Sequence, residues 1–540
     1  MSNSPSEYNF PKRQLTMGIV AIFAVYGTMA YFVQSLSIAR PKMAAELNGM
    51  SLYAVAVSIP ALVGAFATLI YGKLSDLYGR RKMLLIAVSF ALASAIMCAS
   101  APTFVFLIAA TVVGSFGSGA MMPLVFAAIG DLFPPEKRGK WIGLLNIPVG
   151  SFALVGPILG GWFVDNLSWR YLYLLALPLL TVCILTIPVG IPSVVKRDAK
   201  PKIDVLGCIV VATASSTAII GLSFAGTRGW SSPSVLALLG VSLLFWFAFI
   251  TIEGRVKEPI VDPSVLRNRS FLTVSIATLL SFLGQTGLMM YFPMFLQGVQ
   301  GVSTLQSSYI IIPCSFLMSF IGVPVGFLLS RSKRFKWMYV VGFGLLTADM
   351  FAIQFLSAGT PIAWSLAVSS IAGIGMGAVP TINTLVVQNA VPKRLLGVAM
   401  GTFFFAFSMG YAIAPALLGS AMTSGYEKTL AASLPKGLEK IADQKARASL
   451  SDQKVLLNAS ARDELKKIFE TKGEEGKALY KQTMQAIRDS MQSGIRNVFL
   501  IGAIGMLLAF LIISTIPENA IGEVRVKDSS ESVTAPAAKE

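Results

Sequence analysis

Two aspartates and one absence set the chemistry open to this chain. Asp349, in GFGLLTADMFAIQF, is the one carboxylate placed near the middle of a long apolar run. An ionised carboxylate at that depth in a membrane is costly, so Asp349 is expected to face a cavity or to carry a proton. The chemistry it offers is proton binding and release. An inter-helix hydrogen bond, or a run shifted so that Asp349 meets the outer interface, would also account for it. Asp76 lies in GKLSDLYGRRKM, four residues before Arg80, where it can pair with that arginine or sit at a helix N-terminus. Gly72 and Gly79 of the same stretch permit close helix approach and a tight turn. Histidine is absent, which removes the usual proton shuttle and metal ligand. The four cysteines, Cys98, Cys183, Cys208 and Cys314, all lie inside apolar runs and read as packing residues. With no metal-ligand cluster and no nucleophile–base arrangement, no enzyme activity, metal site or cofactor is expected.

The elements that must hold these residues are membrane helices. Hydrophobic residues make up 54% of the 540 and charged residues 13%, against about 25% charged in soluble domains. Apolar runs near the roughly 20 residues that cross a bilayer as a helix recur along the chain. The short alternating segments of a β-barrel are not seen. The expected class is an all-α polytopic membrane protein with fourteen spans, at 16–38, 51–71, 83–100, 104–129, 141–163, 170–191, 204–225, 233–252, 271–296, 305–329, 337–357, 362–388, 395–422 and 497–516.

The net charge of +17 sits in short clusters between spans, not in a basic stripe with interleaved aromatics, so nucleic acid is not an expected partner. Lys73, Arg80, Arg81, Lys137, Arg138, Lys196, Arg331 and Lys393 mark every second join. The positive-inside rule then puts those joins and both termini in the cytoplasm, with Arg40 and Lys42 the main exception. No cleavable signal peptide is expected, because Lys12 and Arg13 lead straight into a full-length span. The organisation that follows is a cytoplasmic stretch 1–15, a six-helix bundle 16–191, a linker 192–252 with two extra spans, and a second bundle 253–516. A Lys-, Glu- and Ala-rich helical insert at 424–494 interrupts that bundle on the exterior side, and 517–540 is a disordered cytoplasmic tail.

GKLSDLYGRRKM closely resembles the loop motif of the major facilitator superfamily, and GFLLSRSKRFKWM from Gly326 is a degenerate second copy, as a duplicated bundle would give. Span 5 carries GSFALVGPILGGWF, which resembles the signature of antiporters in that superfamily through Gly150, Gly156, Pro157, Gly160 and Gly161. NLSWRYLYLLALP, IDVLGCIVV and YFPMFLQGVQGVSTLQSSYIIIP resemble the fourteen-helix drug:proton antiporter branch. The resemblance covers residues 15–517 apart from the insert. It implies two six-helix bundles joined by two extra helices, alternating around a midplane site. It also implies a conformational latch made by Asp76, Arg80 and Asp131 of GDLFPPEKRG, with Gly72 and Gly79 shaping the loop. Plain loop capping would use the same residues. The expected function is export of small hydrophobic or amphipathic compounds by proton antiport, by a monomer in the cytoplasmic membrane. Substrate, protons and the lipid bilayer are the expected partners.

The chain departs from that branch where substrate and proton would bind. Phe32 stands at the usual first-helix aspartate, Arg40 replaces a leucine, and Thr111 and Gly114 replace an arginine and a glutamine of helix 4. Cationic drugs are therefore less expected than the family implies, and neutral compounds, anions and lipids stay open. Arg40 favours an anion if it faces the cavity and otherwise anchors the helix end. A polar stripe on span 1, Tyr26, Ala30, Gln34 and Ser37, is a candidate cavity lining, together with Asn146, Ser281, Gln285 and Met289. Helix packing would serve equally for these. Rival functions are a proton-independent facilitator or importer and a non-transporting membrane sensor.

Overall fold

The computed structural model describes residues 10–49, 52–192, 204–256, 259–332, 334–435, 466, 469 and 473–517. Every described element is helical. The first lobe comprises α1 (Lys12–Glu46), α2 (Tyr53–Tyr78), α3 (Arg80–Ala99), α4 (Phe104–Leu132), α5 (Pro135–Leu144), α6 (Asn146–Asn166) and α7 (Arg170–Gly190). A hairpin of α8 (Val205–Arg228) and α9 (Pro233–Glu253) follows, and the short α10 (Pro263–Arg267) leads onward. The second lobe holds α11 (Arg269–Thr286), α12 (Phe292–Gly298), α13 (Thr304–Phe320), α14 (Gly322–Ser332), α15 (Lys336–Ala352), α16 (Ile362–Ala390), α17 (Leu396–Ser433) and α18 (Gly473–Ser514). Among the described residues, 12 helical stretches are long and apolar enough to cross a membrane, and α2 and α8 run over the other two expected spans.

Several spans are broken where the sequence reads as continuous, and proline is the cause. The expected span 141–163 is α5 and α6, parted at Leu145, because Pro148 has no N–H to offer the carbonyl of Leu144. Its counterpart in the second lobe parts at Ile321, where Pro324 leaves Phe320 without a donor. A π-helical turn at Gly287–Tyr291, just before Pro293, interrupts the ninth expected span. The insert differs from expectation at its ends. Helix α17 runs on to Ser433 and α18 begins at Gly473, so both flanks continue the spans. Ala, Leu, Lys and Glu favour that continuation, and Thr429 meets Ser493 across it at 2.9 Å. Residues 1–9, 436–465 and 518–540, with most of the expected insert and tail, lie outside the described residues.

Within the first lobe α1 packs on α6 and α7, and α3 on α4. Within the second, α13 packs on α16, while α11, α15 and α17 pack on α18. The lobes meet chiefly along α2–α17 and α5–α14. Helix α9 is peripheral and turns Leu243, Leu244, Phe247 and Ile250 outward, 68–71% exposed. Such an apolar face suits lipid.

Candidate latch between the lobes

The loops with Arg80, Lys137, Arg331 and Lys393 gather at one end of the bundle, the basic end, and there the lobes close on each other. Helix α2 stops at Tyr78, and Gly79, at φ 89°, turns the chain directly into α3. A left-handed φ favours glycine, which explains the residue at that joint. The turn brings Arg80 back over the last turn of α2. Its guanidinium pairs with Asp76, donates from Nε to Asp131 of α4 at 3.1 Å, and also reaches the Ser75 hydroxyl. Asp76 does both things its position allowed. It pairs with Arg80, and it also accepts the backbone N–H groups of Gly397 and Val398 at 2.9 and 2.7 Å. Those amides begin α17 of the other lobe, where the helix dipole favours a negative charge.

Gly72 permits the approach. A Cβ there would lie 2.6 Å from the Gly397 carbonyl oxygen and 2.9 Å from Cα of Gly401. All five expected latch residues, Gly72, Asp76, Gly79, Arg80 and Asp131, are thus brought together at the α2–α17 contact.

The degenerate copy builds the same contact on the other side. Gly326 of α14 faces Gly139 and Gly143 of α5, with a Cβ placed 2.3 Å from the Gly139 carbonyl oxygen. Four residues on, where the first copy has Asp76, Ser330 accepts the N–H of Lys140 at 2.9 Å. Ser330 is a contact the sequence reading missed, and its offset from Gly326 was the available signal. Two further cross-lobe contacts were missed. Arg138 donates to the carbonyls of Gly130 and Phe133 at 2.8 and 3.0 Å and to Asn389 of α16 at 3.3 Å. Gln388 donates to the Phe126 carbonyl at 2.8 Å. Neither carries a sequence spacing that points across the molecule.

The glycines of α6 divide between two partners. A Cβ on Gly150 would meet Ser319 and Phe320 of α13, and on Gly156 and Gly160 it would meet Gln34 and Ser35 of α1. Pro157 lies inside the helix between them. A Cβ on Gly161 would meet nothing within 4 Å, so no close helix approach requires glycine there. One residue past Gly160 is a rotation of about 100°, which carries it off the α1 face.

The expected cavity residues separate on inspection. Tyr26 packs edge-on to Phe126 of α4, and Phe126 stacks on Phe404 of α17 at 5.3 Å between ring centroids. Phe404, Phe407, Phe282 of α11 and Tyr411 continue the chain of rings. This aromatic run crosses from one lobe to the other. Ser281 does not line a cavity: it is fully buried and bonds the Thr278 carbonyl of its own helix, with Gln285 donating to it at 2.9 Å. Asn146 joins the lobes, reaching Thr381 of α16 at 3.4 Å. Gln34 lies at the α1–α6 packing face, and Met289 is 38% exposed on the π turn. The side chain of Ser37 lies outside the described residues.

Asp349 does not face a cavity between the lobes. It is 2% exposed within the second lobe, with the Cys314 thiol of α13 as an electrostatic neighbour. Neither carboxylate oxygen has a hydrogen-bond partner among the described residues. At the opposite end of the first lobe, Glu46 explains NLSWRYLYLLALP. It accepts from the Trp169 indole at 2.9 Å and from Arg170 at 2.8 Å, and Arg170 also reaches the Ala101 carbonyl. The hydrogen bond from Arg170 lowers the Glu46 carboxyl below its ordinary range.

The model of the Major Facilitator Superfamily matches residues 18–415 of the chain. The multidrug transporter protein MdtP of Bacillus subtilis is 25% identical over 519 residues, 95% of this chain and 94% of that protein. Multidrug resistance protein 3 of the same organism is 28% identical over 466 residues, 86% of each chain. Among solved structures, the human organic anion transporter MFSD10 (TETRAN) superposes with a TM-score of 0.56 at 14% identity, covering 94% of this chain and 100% of that one. The proton:xylose symporter XylE does so at 0.55 and 14%, covering 94% and 96%. These two share the fold alone. A family model that spans most of the chain, on a two-lobed helical bundle, means that the chain belongs to the Major Facilitator Superfamily of membrane transporters.

Proposed function

We propose that this transporter exports small hydrophobic or amphipathic compounds across the cytoplasmic membrane by alternating access, with protons moving the other way. In this reading the chain makes fourteen spans, with the basic end and both termini in the cytoplasm, and the insert lies outside. The two lobes, 16–191 and 253–516, close at the cytoplasmic end in the form described, so the site opens outward. Asp76, Arg80, Asp131 and Ser330 hold that closure and part when the lobes rock. The observation that carries the substrate class is the aromatic run from Tyr26 through Phe126 and Phe404 to Phe282. It spans the lobe boundary with flat apolar faces, and the first helix carries Phe32 where the family resemblance would put an aspartate. Relatives named as multidrug transporters support the same reading.

Asp349 is the proposed proton carrier. An ionised carboxylate in its site would be a full charge with no partner, which the protonated acid avoids. One observation favours a second reading, facilitated diffusion without protons: Asp349 lies inside one lobe, away from the lobe boundary. The variant Asp349→Asn separates the two. Proton-coupled export predicts that gradient-driven dye uptake into inside-out vesicles is lost in the variant while dye exchange at equal pH survives. Gradient-driven uptake that survives the substitution removes Asp349 from the mechanism.

A further inference from the structure

Helix α9 ends at Glu253, which is 6% exposed. Its Oε1 accepts the backbone N–H groups of Ile260 and Val261 at 3.2 and 3.4 Å, while Oε2 is buried with no hydrogen-bond partner. Asp204, the N-cap of α8, is in the same condition. Its Oδ1 accepts the Gly207 N–H at 2.8 Å, and its Oδ2 is buried and unpartnered. Glu253 interacts electrostatically with Asp204 and with Lys73 of α2, and both acids interact with the Cys208 thiol of α8. Among the described residues no ion pair joins either acid to a cation. Glu253 thus holds one buried oxygen without a hydrogen-bond donor and has a like charge beside it, and both favour its protonated form.

We propose that Glu253, with Asp204 beside it, is a proton-binding site at the foot of the α8–α9 hairpin. The site is separate from the latch, and it does not rest on the role given to Asp349. Its position gives it leverage on the lobe boundary. Val210 and Val211 of α8 pack in one cluster with Ala65 and Leu69 of α2 and with Phe405 and Met409 of α17. Trp230, at the hairpin's far end, donates to Ser420 of α17. The hairpin therefore lies across the α2–α17 contact, whose two helices must separate when the basic end opens.

A proton on Glu253 keeps the foot packed. Its loss strands a buried charge and favours a loosened, wetted foot. The packed form binds the proton more tightly, so it gains stability as pH at the basic end falls and loses it as pH rises.

Capping alone would use the same contacts, and Glu253→Gln tells the two apart, because it keeps the Oε1 acceptor and cannot ionise. The measurement is an infrared titration of the full-length purified protein in lipid, made in the Asp349→Asn background to remove that carboxyl. The proposal predicts a protonated-carboxyl band that disappears as pH rises and is missing in Glu253→Gln. It also predicts that Asp204→Asn, by removing a like charge, moves the band's titration to lower pH. Spectra that superpose with and without Glu253→Gln overturn the proposal, as does a band that Asp204→Asn leaves in place. The Asp204→Asn arm keeps the test decisive if Glu253→Gln fails to fold.

Discussion

Asp76 holds two lobes together with one carboxylate, so its removal has two costs. Asp76→Ala leaves Arg80 buried without its closest partner and the Gly397 and Val398 amides without an acceptor. Breaking a buried ion pair costs about 3–5 kcal/mol. The expected result is a lower thermal midpoint in detergent and loss of dye export, with the basic end more open to cysteine labelling. Ser330→Ala, which removes one neutral hydrogen bond, should cost only about 1 kcal/mol and slow export little. Glu46 adds a pH dependence at the other end. Its carboxyl is lowered by Arg170, so the stability it contributes is present above the ordinary glutamate range and is lost as pH falls through and below that range. Thermal midpoints of wild type and Glu46→Gln should converge at low pH, and equal midpoints at neutral pH would rule out the tether. The Asp76–Arg80 pairing was legible in the sequence from the four-residue spacing, whereas Asp131 was singled out only through the family resemblance. Ser330 was not, because a serine in a basic loop resembles ordinary surface. Which glycines of α6 meet a neighbour was not legible, because spacing alone does not say which face of the helix a neighbour will cover.

At the scale of elements, glycine decides how closely the lobes approach. Gly326→Val places side-chain atoms where the Gly139 carbonyl already lies, within 2.3 Å of the Cβ position. Overpacking of this kind costs about 1–3 kcal/mol. Here it acts only on the closed basic end, so the variant should shift toward a form open there. Faster alkylation of a cysteine introduced at Thr381 would report that shift, and an unchanged rate would contradict it. The spans themselves were legible, since about 20 apolar residues have few ways to be satisfied other than as a membrane helix. Their breaks at Leu145 and Ile321 were harder to see. Each depends on one missing N–H, and proline inside a membrane helix often does no more than bend it, as Pro60 and Pro123 sit inside unbroken helices here.

For the whole molecule, the arrangement is two lobes, twin glycine contacts at one end, and an aromatic run between. The basic-end closure is nearly symmetric, but among the described residues its ion pairs sit on one side only: Asp76 with Arg80 and Asp131 at α2–α17, against Ser330 on the Lys140 amide and the Lys140 ammonium over the Phe327 ring at α5–α14. The α2–α17 side is thus the stronger barrier to opening, and it is the side the α8–α9 hairpin covers. How the lobes pair was not legible in the sequence, because the contacts run between residues about 190 to 320 positions apart. The most direct test of the account is accumulation of a fluorescent hydrophobic dye in inside-out vesicles holding the wild-type protein, with an imposed proton gradient and after its collapse. The account predicts accumulation against the dye's own gradient while the proton gradient lasts, and its loss on collapse. Accumulation that persists after collapse, or dye that only equilibrates under either condition, would contradict proton-driven export.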